Sequence, residues 1–255
     1  MEKISAFIIA CDEAAKIEAA LASVAFCDEV VVVDSGSTDD TIAISRRMGA
    51  RVIQHPWQGY AKQKQFALDQ CQYAWCLNID ADERVTPVLR DAILAVLRHP
   101  GKAVAYALTG RNYFLGKMVP MQMRLESHVR LFRADAVCYT TDKLVHERVV
   151  VSGPIASLPG YIAHDAKETI AVFQQDIEAY STLRAAEKKA NKQRPSISKL
   201  GLIFPLTFIK KYLLQRACLF GVRGLILATM EAYYAFLKEA KLWEQYHNFP
   251  AESES

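Results

Sequence analysis

The sequence lacks the glycine patterns that mark two common nucleotide-binding loops. Only 11 of its 255 residues are glycine. None of these glycines belongs to the Gly-x-x-x-x-Gly-Lys pattern of a Walker-type phosphate loop or to a Gly-x-Gly-x-x-Gly dinucleotide fingerprint. The sequence therefore supports neither kind of loop.

Paired cysteine spacings are also missing. The six cysteines are scattered and none forms a Cys-x-x-Cys pair; they are Cys11, Cys27, Cys71, Cys76, Cys138 and Cys218. Several lie inside apolar runs, as reduced core residues of a cytosolic protein do. We expect neither disulfides nor a cysteine metal site.

Long uninterrupted apolar runs are absent as well. Residues 200–209 are ten uncharged residues between two lysines, and Arg223 interrupts the run from Ala217 to Met230. Both runs are too short or too charged to span a bilayer. The apolar run Ile4–Ala10 is too short for a secretory signal core, so we expect no signal peptide.

Positive charge is concentrated in the C-terminal third. Residues 184–216 contain nine Lys or Arg and one acid, although the net charge of the whole chain is only +3. This concentration predicts an anionic surface partner. Nucleic acid is the least favoured partner, because the nearby aromatic residues lie within long aliphatic runs and not on a polar stacking surface.

Acidic residues follow three apolar segments of the N-terminal half. Asp12, Asp34 and Asp80 each come directly after a predicted strand, and helical patterns alternate with these strands. The first helical pattern places three apolar residues on one face, namely Ile17, Leu21 and Val24. Alternating strands and helices predict parallel βαβ units, which place ligands at the carboxyl ends of the strands. We therefore expect the three acidic turns to converge on one crevice.

The strongest chemical signal is the segment Cys76–Glu83, in which an apolar strand ends in Asp80, Asp82 and Glu83. Two acids in a turn are often only solvated or helix-capping. A buried strand that delivers them to a sheet edge instead favours binding of Mg²⁺ or Mn²⁺, which prefer carboxylate, water and phosphate oxygens. The carboxylate of Asp34, at the end of its own strand, can accept a hydrogen bond from a base N–H or a ribose hydroxyl.

The character of the chain changes near residue 166. Mixed strands and helices precede this point, including two predicted strands at residues 103–109 and 111–114. Long helical patterns broken at residues 194–196 and near Pro205 follow it. We predict an α/β catalytic domain over residues 1–166 and a helical extension over residues 167–255.

Six short motifs give the chain a family resemblance. They are Val31–Asp39, Gly59–Ala67, Leu77–Glu83, Arg130–Arg133, Val145–Glu147 and Ala240–Glu244. Together they resemble the family 2 glycosyltransferases of the GT-A fold, and within these the bacterial lipopolysaccharide core β-glucosyltransferases. The resemblance covers nearly the whole chain, and its first three motifs are the most specific.

The resemblance implies an inverting transfer from a nucleotide sugar, with UDP-glucose as the expected donor and a divalent cation, Mg²⁺ or Mn²⁺, as cofactor. By motif, Asp34 would bind the uridine, Asp80 would lie near the ribose or the metal, and Asp82 would ligate the metal. Lys64 would approach the diphosphate, with Lys62 as a competitor. Gln65 stands where the family usually has Asn, which leaves its contact open.

Inversion by direct displacement requires a general base for the acceptor hydroxyl. Our candidate is Glu147, which matches an acid of the family and lies in a polar break; Glu126 and Asp142 are rivals. His146 would orient the base or the acceptor, unless it is structural. Arg130 and Arg133 are expected to pair with anionic groups, with solvation of one of them as the alternative.

The expected acceptor is the inner core of lipopolysaccharide, and the expected location is the cytoplasmic face of the inner membrane. Another lipid-linked or protein acceptor, and a non-catalytic module that binds nucleotide sugars, are the alternatives. In the extension, Leu202, Phe204 and Phe208 would enter the headgroup region while Lys199, Lys210, Lys211 and Arg216 meet anionic lipid. The alternative is a helical layer that only packs on the core.

Overall fold

The computed structural model describes residues 1–123, 125–140, 148–164 and 169–247. Within these residues the strands are β1 Ile4–Ala10, β2 Glu29–Asp34, β3 Arg51–Gln54, β4 Trp75–Asn78, β5 Glu83–Val85, β6 Ala105–Phe114, β7 Lys117–Met118, β8 Ser127–Arg133, β9 Val137–Thr140, β10 Arg148–Val151, β11 Ile155–Ser157 and β12 Ile162–His164. The α-helices are α1 Ile17–Ser23, α2 Thr41–Arg47, α3 Tyr60–Asp69, α4 Pro87–Arg98, α5 Ile170–Ala190, α6 Ile197–Ile209 and α7 Val222–His247.

The main sheet has the strand order β3-β2-β1-β4-β8-β6-β12-β5, and β7 and β11 also pair with β6. Strands β3, β2, β1 and β4 run parallel to one another, whereas β8 is antiparallel to both β4 and β6. Strands β9 and β10 form a separate antiparallel pair. The predicted parallel βαβ arrangement is confirmed for the first four strands.

The strand register brings the acidic turns together. Ala10 at the end of β1 is level with Asp34 at the end of β2, and Phe7 is level with Asn78 at the end of β4. The carboxyl ends of β1, β2 and β4 thus lie side by side at one edge of the sheet. Ligands of open α/β sheets bind at such an edge.

Both faces of these strands are buried, which explains why they read as continuous apolar runs. On one face, Ile17, Leu21 and Val24 of the first helical segment pack against alternate residues of β1. On the other face, Phe7 of β1 packs against Phe132 of β8 with ring centroids 6.3 Å apart. The amphipathic pattern predicted for α1 is confirmed.

The chain divides into two compact units, Met1–Asn112 with Leu125–Ala166 and Tyr113–Arg124 with Lys167–Ser255. The first unit contains the parallel strands and their helices, as predicted. In the second, the rings of Phe173 and Phe220 lie 5.9 Å and 6.5 Å from that of Phe114. Position 166 lies outside the described residues, and we keep the boundary there as a proposal.

Close backbone contacts shape the second unit. Gly224 lies in the first turn of α7, where a Cβ atom would collide with the carbonyl oxygen of Ala217, so a residue with a side chain does not fit. Buried Glu239 of α7 pairs with Lys188 of α5 and, at 3.1 Å, with Lys199 of α6. A single carboxylate therefore joins all three long helices.

Three details differ from the sequence expectations. The predicted strands at residues 103–109 and 111–114 are one strand, β6, and α6 continues through Pro205 where we expected a break. All six cysteines are free thiols, but Cys11, Cys138 and Cys218 are exposed, so the prediction of core positions is wrong for these three. No helix among the described residues is both long and apolar enough to cross a bilayer.

Candidate active site

The turn after β2 is built around the carboxylate of Asp34. Oδ1 accepts hydrogen bonds from the backbone N–H groups of Gly36 at 2.9 Å and Ser37 at 3.0 Å, and Oδ2 accepts from the Ser37 hydroxyl. The positive φ of Gly36, 103°, favours glycine at this position. Asp34 has no exposed surface, so its side chain holds the loop in shape. A direct contact with uridine would require the turn to release the carboxylate.

Asp12, after β1, ties its own loop to this turn. Its Oδ1 accepts from the N–H groups of Thr38 at 2.7 Å and Asp39 at 3.3 Å, and its own N–H donates to Ser37 Oγ at 2.9 Å. Asp12 has a φ of 54°, which aspartate tolerates better than most residues. These hydrogen bonds therefore join the loop after β1 to the loop after β2.

Asp80, after β4, lies between two cations. The Lys64 ammonium contacts Oδ1 at 3.0 Å, and the Arg130 guanidinium contacts Oδ2 at 2.9 Å. Arg130 also donates to Glu83 at 2.9 Å and to Asn78 Oδ1 at 3.0 Å. Glu83 in turn accepts from the Asp80 N–H at 2.9 Å. Two carboxylates and two cations thus balance each other at the end of β4.

Burial and charge act in opposite directions on these groups. Burial alone would raise the pKa of Asp80, but Arg130 and Lys64 outweigh it and hold that pKa well below its usual range. Burial raises the pKa of Glu83 despite the favourable charge of Arg130. Arg130 and Lys64 therefore favour the ionised form of Asp80.

Asp82 pairs with His164, which ends β12. Nε2 of His164 lies 2.9 Å from Asp82 Oδ2, and Nδ1 lies 3.3 Å from Asn112 Oδ1. Burial would lower the pKa of His164 and raise that of Asp82, but their mutual hydrogen bond reverses both shifts. The hydrogen bond between the two side chains therefore favours the charged form of each.

Asp82 and His164 can supply two of the ligands of a divalent cation. A carboxylate oxygen and an imidazole nitrogen are common ligands of Mn²⁺ and related ions, and an oxygen partner such as Asn112 fixes the orientation of the ring. No group of three or more His, Cys, Asp and Glu side chains in the described part of the chain forms a metal cluster. The residues present therefore fit a cation whose other ligands are water and substrate oxygens.

The other predicted residues fall in different places. Lys62 is exposed, whereas Lys64 is buried against Asp80. Arg130 lies in the network, but Arg133 forms an exposed pair with Asp135 at 3.2 Å. The structure thus distinguishes the members of both basic pairs.

Among the remaining candidates, Gln65 accepts from the backbone N–H of Tyr139 at 2.9 Å. It therefore joins α3 to β9. Glu126 is largely exposed and lies 3.7 Å from His128. The predicted base Glu147, its neighbour His146 and the rival Asp142 lie outside the described residues.

His164 was not predicted from the sequence, and Glu83 was assigned no role there. The signal for His164 was weak: one histidine after a short apolar segment, far along the chain from Asp82. Glu83 was visible in the acidic run, but its partner Arg130 lies 47 residues later. Only the pairing of β4 with β8 and of β5 with β12 brings these side chains together.

The charge network makes a prediction about stability. We expect Arg130→Met to lower the free energy of unfolding by about 3 kcal/mol, because buried Glu83 then loses its cation while half-buried Asp80 keeps only Lys64. Urea denaturation measures the change. The matched control, Arg133→Met, removes an exposed pair and should change the free energy of unfolding by no more than about 0.5 kcal/mol. Equal, small effects of both substitutions would show that the network does not stabilise the fold.

Comparisons with known proteins identify the family of this chain. The family model described as Glycosyl transferase family 2 matches residues 5–147. The lipopolysaccharide core biosynthesis glycosyltransferase LpsC of Rhizobium meliloti is 35% identical, over 95% of this chain and 93% of its own. An uncharacterised glycosyltransferase of Rickettsia prowazekii, RP128, is 33% identical over 95% of this chain and 87% of its own.

A solved structure supports the fold independently. The crystal structure of TarS residues 1–349 from S. aureus aligns with 97% of this chain and 94% of that chain, at 17% identity and a TM-score of 0.51. At this identity the likeness concerns the fold alone. With the family match and the similarity to LpsC, it shows that the chain belongs to glycosyltransferase family 2 and is a glycosyltransferase with the GT-A fold.

Proposed function

We propose that this enzyme transfers glucose from UDP-glucose to an inner-core acceptor of lipopolysaccharide, with inversion and with a divalent cation, at the cytoplasmic face of the inner membrane. The observation that carries the proposal is the Asp82–His164 pair beside the Asp80 network, at the edge where β1, β2 and β4 end. The similarity to LpsC, whose name assigns it to lipopolysaccharide core biosynthesis, supports the acceptor class.

In this proposal Asp82 and His164 hold the cation. When bound, a divalent cation supplies positive charge against the departing diphosphate. Asp80 has both oxygens paired with cations, so its main task is to position Lys64 and Arg130. Lys64 then presents positive charge at the edge of the site, and metal ligation by Asp80 is the second role that we retain for it.

The loops after β1 and β2 form the nucleotide side of the site. Asp12 and Asp34 fix the backbone of residues 36–39 through the hydrogen bonds described above. On the far side of this loop, Gln63 of α3 donates to Ser35 Oγ and to the His55 carbonyl oxygen, at 3.1 Å each. The loops that follow β2 and β3 are therefore joined, which fits a preformed site for the nucleoside.

The transfer step is a direct displacement. The acceptor hydroxyl oxygen forms a bond to the anomeric carbon as the bond from that carbon to the diphosphate oxygen breaks. The electron pair leaves with the nucleotide diphosphate, and the hydroxyl proton passes to Glu147, our proposed base. His146 would orient Glu147 or the acceptor.

Donor identity is tested by thermal unfolding with a panel of nucleotide sugars in the presence of Mn²⁺. We expect UDP-glucose to give the largest rise in melting temperature, because it is the proposed donor. A ligand at a hundred times its Kd stabilises the folded state by about 2.7 kcal/mol. EDTA should remove most of that rise. A larger rise with another UDP-sugar would correct the donor, and no rise with any nucleotide sugar would refute the proposed site.

A second assay separates the enzyme from a non-catalytic module. With Mn²⁺, UDP-glucose and lipopolysaccharide truncated to its inner core, we expect release of UDP and incorporation of glucose. Binding of the donor without turnover on this acceptor, on other glycolipids or in hydrolysis would identify a module. Turnover only with another glycolipid or a protein would change the acceptor and leave the reaction type intact.

A further inference from the structure

Helix α6 has one face that is strongly apolar and exposed. Not one residue of α6 is buried, although most of its residues are apolar. Leu202, Leu206, Ile209 and Leu213 are all exposed, at successive spacings of four, three and four residues. This spacing places them along one side of the helix and the turn that follows it. We call these four residues the α6 stripe.

The exposed apolar surface continues beyond the stripe. Leu214, Leu219, Val222 and Leu225 follow it and are also exposed, with Leu214 at 73% and Val222 at 73%. Single exposed apolar side chains are ordinary on a protein surface. A run of eight within residues 202–225 is a concentration typical of an interaction surface.

The helix that carries the stripe is anchored from behind. α6 packs against α7, and Lys199 at its start pairs with Glu239 of α7 at 3.1 Å. Just beyond its end, Lys211 lies 3.6 Å from Glu231 of α7, and the rings of Phe208 and Tyr212 stack with centroids 5.4 Å apart. The α6 stripe is therefore the exposed side of a helix that contacts with α7 hold in place.

The charges around the stripe select the partner. Between Glu187 and Glu231 the chain has nine Lys or Arg residues and no Asp or Glu. Lys210 and Arg216, next to the stripe, are exposed and form no ion pair with the rest of the described chain. A second copy docked through the same face would bring these positive charges together. An anionic bilayer instead offers a hydrocarbon phase for the leucines and phosphates for the cations.

We propose that the α6 stripe inserts into the headgroup region of an anionic membrane, with Lys210 and Arg216 at the lipid phosphates. This narrows the sequence-based hypothesis. The inserting residues are Leu202, Leu206, Ile209 and Leu213, whereas Phe204 and Phe208 are only half-exposed. The proposal deepens the proposed function, because it names the surface on which a lipid-anchored acceptor is met.

Flotation of the full chain with vesicles tests the apolar part. We expect binding to phosphatidylcholine vesicles that contain phosphatidylglycerol. Leu206→Ser combined with Leu213→Ser should weaken this binding at least about tenfold, because each substitution removes apolar surface from the lipid. The control is Val88→Ser with Ile155→Ser, two exposed apolar residues of the first unit, and it should bind as the wild type does. Equal binding of both double variants would overturn the proposal.

The electrostatic part has its own control. Lys210→Gln should weaken binding to the anionic vesicles, and Lys102→Gln, an exposed lysine of the first unit, should not. High salt should also weaken binding. Equal binding to pure phosphatidylcholine would refute the role of anionic lipid. A dimer in vesicle-free solution that the Leu206→Ser and Leu213→Ser pair dissociates would show that a second copy occupies the face.

Failure of this inference is distinguishable from failure of the proposed function. The stripe variant should keep the wild-type thermal response to UDP-glucose and Mn²⁺, since the loops after β1, β2 and β4 are unchanged. It should lose transfer only when the acceptor is embedded in vesicles. Transfer to vesicle-embedded acceptor at the wild-type rate would contradict the membrane role of α6, whatever the donor.

Discussion

Asp82→Ala is expected to lower metal-dependent transfer by about a hundredfold or more. The substitution removes the carboxylate that faces His164 Nε2 at 2.9 Å and leaves the imidazole as the only protein ligand of the proposed pair. Even partners that only orient metal ligands change affinity or activity 10- to 100-fold when they are removed, so loss of a ligand should cost at least the upper value. The measurement is kcat/KM for transfer as a function of Mn²⁺ concentration.

Three variants make this result interpretable. Asp135→Ala removes an exposed carboxylate paired with Arg133 and should leave kcat/KM unchanged. His164→Ala should weaken Mn²⁺ binding as Asp82→Ala does, because the two side chains hold the same ion. Asp80→Asn separates the two roles of Asp80. Loss of a metal ligand would weaken Mn²⁺ binding, whereas loss of a residue that positions Lys64 and Arg130 would leave Mn²⁺ binding unchanged. If Asp82→Ala bound Mn²⁺ and turned over as the wild type does, the cation site would have to lie elsewhere.

Glu147→Gln is expected to keep donor binding and to lose transfer by roughly a hundredfold to ten-thousandfold, the range that general base catalysis contributes. Glutamine has the shape of glutamate but cannot take up the acceptor proton at neutral pH. The thermal response to UDP-glucose with Mn²⁺ should therefore be unchanged, while kcat falls. This difference between binding and turnover distinguishes a base from a residue that only supports the fold.

The control for Glu147 is Glu126→Gln. Glu126 is largely exposed and lies beside His128, so its substitution should leave kcat unchanged. Near-normal turnover of Glu147→Gln would remove it as the base and turn attention to Glu126 and Asp142. A parallel loss of donor binding and turnover would instead assign Glu147 to the donor site.

The sequence predicted the part of the site that follows from strand order. Acids after apolar strands, in parallel βαβ units, must reach one edge of the sheet, and Asp12, Asp34 and Asp80 do so. The periodic positions Ile17, Leu21 and Val24 gave the buried face of α1 for the same reason. A periodic spacing of apolar residues specifies a helix or a strand. The rules for parallel βαβ units then specify which strands lie side by side.

The antiparallel half of the sheet was less predictable. His164 meets Asp82 only because β12 pairs with β5, and Arg130 meets Glu83 only because β8 pairs with β4. No short-range pattern encodes these pairings. They are selected by packing over the whole core, so the partners of the acidic turn became visible only in the fold.

The remaining differences concern residue types that occur in more than one structural context. Pro205 suggested a helix break, because a proline removes one backbone hydrogen bond and its ring crowds the preceding turn, yet α6 continues through it. Cysteine is usually buried, but three of the six are exposed. For Asp34, the fold adds a role in holding the loop, and the predicted contact with the uridine stays a proposal.

The most direct test of the account is the rate of UDP release from UDP-glucose with inner-core lipopolysaccharide, measured with Mn²⁺ and again with excess EDTA. We predict acceptor-dependent release that stops with EDTA, returns with added Mn²⁺, and is lower in Asp82→Ala by about a hundredfold or more. Release at the same rate in EDTA, or full activity of Asp82→Ala, would contradict it.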